Sequence, residues 1–194
     1  MWYKQLSFPT ILTLIRLVGS PLILPFFLVY FLPYNIFLVN VCLAVLFFLF
    51  GSTDFFDGYL ARKYKVVTSL GAMLDHVADK FLLYSTLVAL VAVNKLYFFW
   101  AILWIGREFF IMALRQVALE NNFSVTVSSY GKIKTIAQGI CLTWIIVNPY
   151  QVTGLLCLQW WNCVEYLLLF VATAFSLVSA YKYFTFFIDK FKES

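Results

Sequence analysis

Apolar stretches of about 18–25 residues follow one another along nearly the whole chain, separated by short polar connections. In hydrocarbon every backbone donor and acceptor must be satisfied within the segment, so stretches of this length fold as helices that cross about 30 Å. Hydropathy places six spans at approximately 8–32, 36–60, 70–94, 96–119, 131–149 and 161–187. The fold class predicted is therefore an all-α integral membrane protein with six transmembrane helices, forming one domain over residues 1–194. Composition supports this against a buried soluble helix bundle, the alternative reading: 12% of residues are charged, half the usual ~25%. The first apolar stretch is broken by Arg16, Pro21 and Pro25, and no small-residue cleavage site follows, so it reads as a retained span. MWYKQLS before it reads as a short interfacial segment, with Trp2 and Tyr3 at headgroup level.

Positive charge orients the spans. Lys4, then Arg62, Lys63 and Lys65, then Lys132 and Lys134, then Lys182, Lys190 and Lys192 all fall on one side. On the other side FLPYN and NPYQVTGLLCLQWW carry no lysine or arginine, and only Lys95 marks the third connection. Both termini and the loops near residues 65 and 125 are thus expected in the cytoplasm. A net charge of +5 distributed this way describes topology, not a nucleic-acid-binding face, and no nucleic-acid partner is expected. Cys42, Cys141, Cys157 and Cys163 lack metal-site spacing and read as apolar fillers, with a Cys157–Cys163 pairing left open. Trp160 and Trp161 read as an interfacial belt.

Against this apolar background, Asp54, Asp57, Asp75 and Asp79 gather within one short span. Asp54 and Asp57 are three apart near the cytoplasmic end of span two; Asp75 and Asp79 are four apart near the start of span three. Both spacings put a pair on one helical face, so two antiparallel helices bring all four together. Carboxylates this close repel, and an ionisable group inside a membrane costs at least ~2.5 kcal/mol, so it normally marks function. Either some stay protonated or divalent cations neutralise them. Oxygen-only ligands suit Mg²⁺ or Mn²⁺, and a pair of such ions serves in-line phosphoryl displacement. Gly58, Ala61 and Gly71 leave room for a backbone or flat ligand to approach, and Arg62 is placed to grip a phosphate.

Asp54, Asp57, Gly58, Ala61, Arg62, Gly71, Asp75 and Asp79 stand in the pattern D-x2-D-G-x2-A-R-x8-G-x3-D-x3-D. This resembles the signature of the CDP-alcohol phosphatidyltransferase family. Eight fixed positions at about 6% frequency would arise by chance on the order of 10⁻⁸ times in such a chain. The resemblance implies six helices and two divalent cations, Mg²⁺ or Mn²⁺, held by Asp54, Asp57, Asp75 and Asp79. It implies Asp79 as the catalytic base and Asp54, Gly58, Ala61, Arg62 and Gly71 around the CDP moiety of CDP-diacylglycerol. It also implies a homodimer surrounded by membrane lipids, in a bacterial inner membrane with the active site facing the cytoplasm.

A second stretch bears on the acceptor. Arg107 lies about 11 residues, or ~16 Å, into span four, near mid-bilayer, with Arg115 two turns further on. Lys132 and Lys134 open span five on the same side. Together they would bind a doubly charged phosphate; alternatively they pair with internal acids or snorkel. Glu108, offset by about 100° from Arg107, is expected to be a poor partner for it and to share a face with Arg115. GREFF…ALR and SYGKIKTIAQ resemble the phosphatidylglycerophosphate synthase branch, which implies glycerol 3-phosphate as acceptor. Two positions depart from that branch: Thr10 replaces an asparagine in FPTILTLIR, and His76 replaces the proline of LDPVADK. Arg16 is embedded in span one, to snorkel or to pair with an acid such as Glu165. Other acceptors (phosphatidylglycerol, inositol phosphate, serine) keep the same chemistry. A divalent-cation transporter would instead need acids along a route to both faces; here the four aspartates all lie toward the cytoplasm, and only Glu165, near the outer side of span six, breaks that pattern.

Overall fold

The computed structural model describes residues 22–63, 69–121, 129–149 and 160–193, with side chains except at 52–63, 69–76, 78, 79, 129, 130, 132, 192 and 193. Every regular element in these segments is helical. Helix α1 covers 22–31 and tightens into a 3-10 turn at Leu32–Tyr34. It is followed by α2 (Phe37–Lys63), α3 (Ser69–Ala92), α4 (Phe98–Glu120), α5 (Ser129–Val147) and α6 (Trp160–Glu193). The helix limits agree with those expected to within three residues, except that the start of the first span, at 8, lies outside the described residues and α6 runs six residues past 187. IDKFKE contains no glycine or proline, so the helix continues after its apolar stretch has ended. The expected interfacial segment, Thr10, Arg16, Cys157 and the loops near 65 and 125 lie outside the described residues.

Two tight connections depend on asparagine. Asn35 and Asn94 both have φ of 56°, the left-handed region that asparagine tolerates better than most residues. Past α3 the Lys95 N–H bonds back to the Leu90 carbonyl at 2.9 Å, closing the helix end over a left-handed residue.

The helices fall into two compact units: α1–α3 with the end of α5, and α4, the rest of α5 and α6. In the first unit α1 buries Leu24, Leu28 and Leu32, one stripe at a spacing of four, and turns Phe26 and Tyr30 outward. Helix α2 packs against α3. Lys95, in the third connection as expected, is 1% exposed, and its ammonium donates to the backbone carbonyl of Asn148, just after α5. The C-terminal carbonyls of a helix carry partial negative charge, which explains why a lysine is held there.

In the second unit α4 packs along α6. Trp104 is fully buried and donates its indole N–H to Thr173 Oγ1 at 2.8 Å. Near the start of α6, Trp144 of α5 lies tilted against Trp161 (4.7 Å between centroids, 33° between planes) and donates to its carbonyl at 3.2 Å, while Trp160 is exposed. Trp144 thus joins the tryptophan pair that the sequence singles out.

Polarity is inverted relative to a water-soluble bundle. Phe26, Leu38, Phe48, Leu119, Ile136 and Phe170 face outward, whereas Asn40, Lys95, Glu108, Lys134, Gln138 and Glu165 are buried. An outer face this apolar suits hydrocarbon. Among the described residues one stretch, Trp160–Phe191, is both long and apolar enough to cross a membrane alone; Leu22–Tyr34, Phe37–Gly51, Lys80–Ala92 and Ile133–Val147 are shorter apolar helices.

Replacing Lys95 with methionine leaves the Asn148 carbonyl without this donor in a dry interior. The expected cost is about 1–3 kcal/mol, read as a lower midpoint of thermal unfolding in detergent.

Candidate active site

The backbone sets the register of the aspartates. Asp57 lies six residues before the end of α2 and Asp75 six after the start of α3; Asp54 and Asp79 lie nine and ten away. Only five residues separate these helices, so the chain returns antiparallel, and the helices are in contact. At 1.5 Å per residue, Asp57 and Asp75 stand about 9 Å from the connection, and Asp54 and Asp79 about 14 Å. The four positions therefore form two matched levels on paired helices. Gly58, Ala61 and Arg62 follow on α2, and Gly71 precedes Asp75 by one turn on α3. The side chains of these residues and of His76 are outside those described. Among the described residues no group of three or more histidine, cysteine or acidic side chains is placed to hold a metal ion.

The second set of expected site residues is visible in detail. Arg107 is held on three sides: Nε donates to the Ser176 carbonyl at 3.1 Å, Nη2 to Ser179 Oγ at 3.0 Å, and Nη1 to Glu108 Oε1 at 2.6 Å. Lys134, from α5, donates to that same Glu108 oxygen. All three side chains are at least nine-tenths buried. The sequence reading of Glu108 is thus corrected. A 100° offset between neighbours does separate their Cβ directions, but the arginine side chain is long enough to bend across it. Arg115 instead turns to α6, donating from Nε to Tyr183 Oη at 2.9 Å with its guanidinium 5.3 Å from the ring centroid. Lys132 lies in the first turn of α5, with its side chain outside those described.

Residues on α6 were the part that sequence reasoning missed. Thr173, Ser176 and Ser179 recur every third position and Tyr183 follows one turn later, so they line one face of an otherwise apolar helix. That periodic polar stripe was the available signal. Two buried donors, Ser176 Oγ and Gln138 Nε2, have no hydrogen-bond partner, and Gln138 is one turn beyond Lys134 on the same face of α5. The cluster therefore retains unused hydrogen-bonding capacity.

Residues 6–178 match the family model for CDP-alcohol phosphatidyltransferases. The chain belongs to the CDP-alcohol phosphatidyltransferase family and is a transferase. It is 37% identical over 187 residues to the CDP-diacylglycerol–glycerol-3-phosphate 3-phosphatidyltransferase of Shigella flexneri serotype 5b, covering 92% of this chain and 93% of the relative. It is 36% identical over the same length, with the same coverage, to the protein of that name from Salmonella typhimurium. A relative of that name from Rickettsia felis is 33% identical over 178 residues, again covering 92% of this chain and 93% of its own length.

Arg107→Lys keeps the charge but cannot reproduce the planar, three-direction fit to α6 and Glu108. It is expected to destabilise the folded protein by about 1–3 kcal/mol, and Ser179→Ala by about 1 kcal/mol or less. Thermal unfolding of both variants beside the wild type checks this order.

Proposed function

We propose that this protein transfers the phosphatidyl group of CDP-diacylglycerol to glycerol 3-phosphate, giving phosphatidylglycerophosphate and CMP. The observation that carries the reading is the eight-residue signature set out at matched levels on two contacting helices. The relatives named for this reaction, together with the buried cations of α4 and α5, favour glycerol 3-phosphate as acceptor.

Asp54, Asp57, Asp75 and Asp79 offer an all-oxygen donor set on paired helices, which fits Mg²⁺ or Mn²⁺. Two such ions would neutralise the diphosphate and the charge developing on departing CMP. Asp79 takes the proton of the attacking hydroxyl. As that oxygen bonds to the phosphorus bearing diacylglycerol, the bond from that phosphorus to the bridging oxygen breaks, and CMP leaves with the electron pair. Gly58, Ala61 and Gly71 admit the nucleotide close to the backbone, and Arg62 contacts its phosphates. Arg107, Arg115, Lys132 and Lys134 hold the acceptor's phosphate, so its free hydroxyl is presented in a fixed orientation. The setting is a single six-span domain in a bacterial inner membrane, both termini and the active site cytoplasmic, working as a homodimer. The inverted polarity of the helices and the gathering of lysine and arginine on one side support a membrane setting with cytoplasmic termini.

CMP release by purified protein in detergent with Mg²⁺ or Mn²⁺ tests the reading, with glycerol 3-phosphate, phosphatidylglycerol, inositol phosphate and serine offered separately. Release with glycerol 3-phosphate alone is the expected result; release with another acceptor overturns the acceptor assignment. Asp79→Asn is expected to lower kcat at least 100-fold, the lower end of what a general base contributes. Unchanged transfer by that variant would overturn the assigned base.

A further inference from the structure

We infer that Tyr183 is a positioning residue for the acceptor's phosphate: it holds Arg115 through Nε, without neutralising it, so that the Nη1–Nη2 edge is presented to the ligand. The inference rests on the reading of Arg115 as part of the acceptor's phosphate subsite.

The four basic residues read as serving that phosphate have unlike surroundings. Arg107 and Lys134 are at least nine-tenths buried and both donate to Glu108, so an anion of the chain already stands beside them. The side chain of Lys132 is outside those described. Arg115 is half-buried, and its hydrogen bond and its ring contact are both with Tyr183. Among the described residues no carboxylate pairs with Arg115.

Nε of Arg115 donates to Tyr183 Oη at 2.9 Å, and the guanidinium carbon lies 5.3 Å from the ring centroid. Tyr183 is 6% exposed, on the polar stripe of α6 one turn after Ser179, so the ring is the fixed member of the pair. An arginine has five N–H groups, one on Nε and two on each Nη. With Nε engaged, the fork of Nε and Nη2 cannot close on a ligand, and the fork that remains is Nη1 with Nη2. Two parallel donors on that edge match two oxygens of a phosphate. Arg107 differs, since its Nε and both Nη atoms donate within the protein.

Tyrosine suits this task for an electrostatic reason. A carboxylate in its place would hold the guanidinium more strongly but offset its charge, leaving less attraction for an incoming anion. A phenol accepts the same hydrogen bond while neutral, and its ring adds a cation–π attraction. The arginine is thus held in one orientation with its charge kept for the ligand. The phosphate is remote from the hydroxyl that reacts, so this contact is made alike before and during transfer. Its loss therefore raises KM and spares kcat.

The test is CMP release by full-length protein in detergent, with glycerol 3-phosphate varied at saturating CDP-diacylglycerol. Tyr183→Phe keeps the ring and removes the hydroxyl. It is expected to raise the KM for glycerol 3-phosphate about three- to tenfold, with kcat and the KM for CDP-diacylglycerol within about twofold of wild type. Arg115→Ala should raise the same KM further, and adding Tyr183→Phe to it should change nothing more, because the tyrosine acts through the arginine. A purely structural tyrosine would give no such coupling. An unchanged KM in Tyr183→Phe overturns the inference, as does a loss confined to kcat or an equal rise in the Arg115→Ala background. Should the phenylalanine variant fail to fold, Tyr183→Met also lacks the hydroxyl and is read by the same outcomes. An active wild type beside an Arg115→Ala variant of unchanged KM removes Arg115 from the subsite and this inference with it, leaving the reaction in place. A wild type that releases no CMP with glycerol 3-phosphate overturns the proposed reaction and the inference together.

Discussion

A charged group withdrawn from water is tolerated only if its counter-charge comes with it, and much of the second helical unit follows from that requirement. Glu108 cannot stand alone in the interior, so Arg107 and Lys134 converge on it. Arg107 has more donors than one carboxylate can satisfy, so α6 must supply a backbone carbonyl and a hydroxyl. Leucine or phenylalanine at those α6 positions would leave donors stranded. Small polar residues at every third position are the consequence, and they fix the register of α4 against α6 side chain by side chain.

The same requirement divides the chemistry along the chain. The four aspartates of the signature lie on α2 and α3, whereas Arg107, Arg115, Lys132 and Lys134 lie on α4 and the start of α5. Carboxylates of like sign need cations from solution, whereas buried cations of like sign need an anion that the chain provides or a substrate brings.

The helices were legible because hydropathy and length are sequence properties; their limits fell close to those observed wherever a glycine, proline or asparagine ends the run. The end of α6 was not, since helix propensity carries it beyond its apolar stretch. The signature of α2 and α3 could be read in full because it consists of spacings, and helix geometry turns spacings into faces. The partners of Arg107 could not. The angular offset of Glu108 was correctly derived, yet it describes where Cβ points and not where a guanidinium five bonds away arrives. Lys95 read from sequence only as a charge in a short connection, and the folded chain is what reveals the helix end beside it.

The contact between Lys95 and Asn148 joins residues 53 positions apart. A chain emerging N-terminus first at about 5–20 residues per second completes the end of α3 roughly 3–10 s before its carbonyl partner exists. During biosynthesis α3 therefore leaves the ribosome with its last turn unlatched, and the arrival of α5 closes it. The latch makes the order of synthesis part of the assembly: the first three helices can gather early, but their far end is secured only when most of the protein has been made.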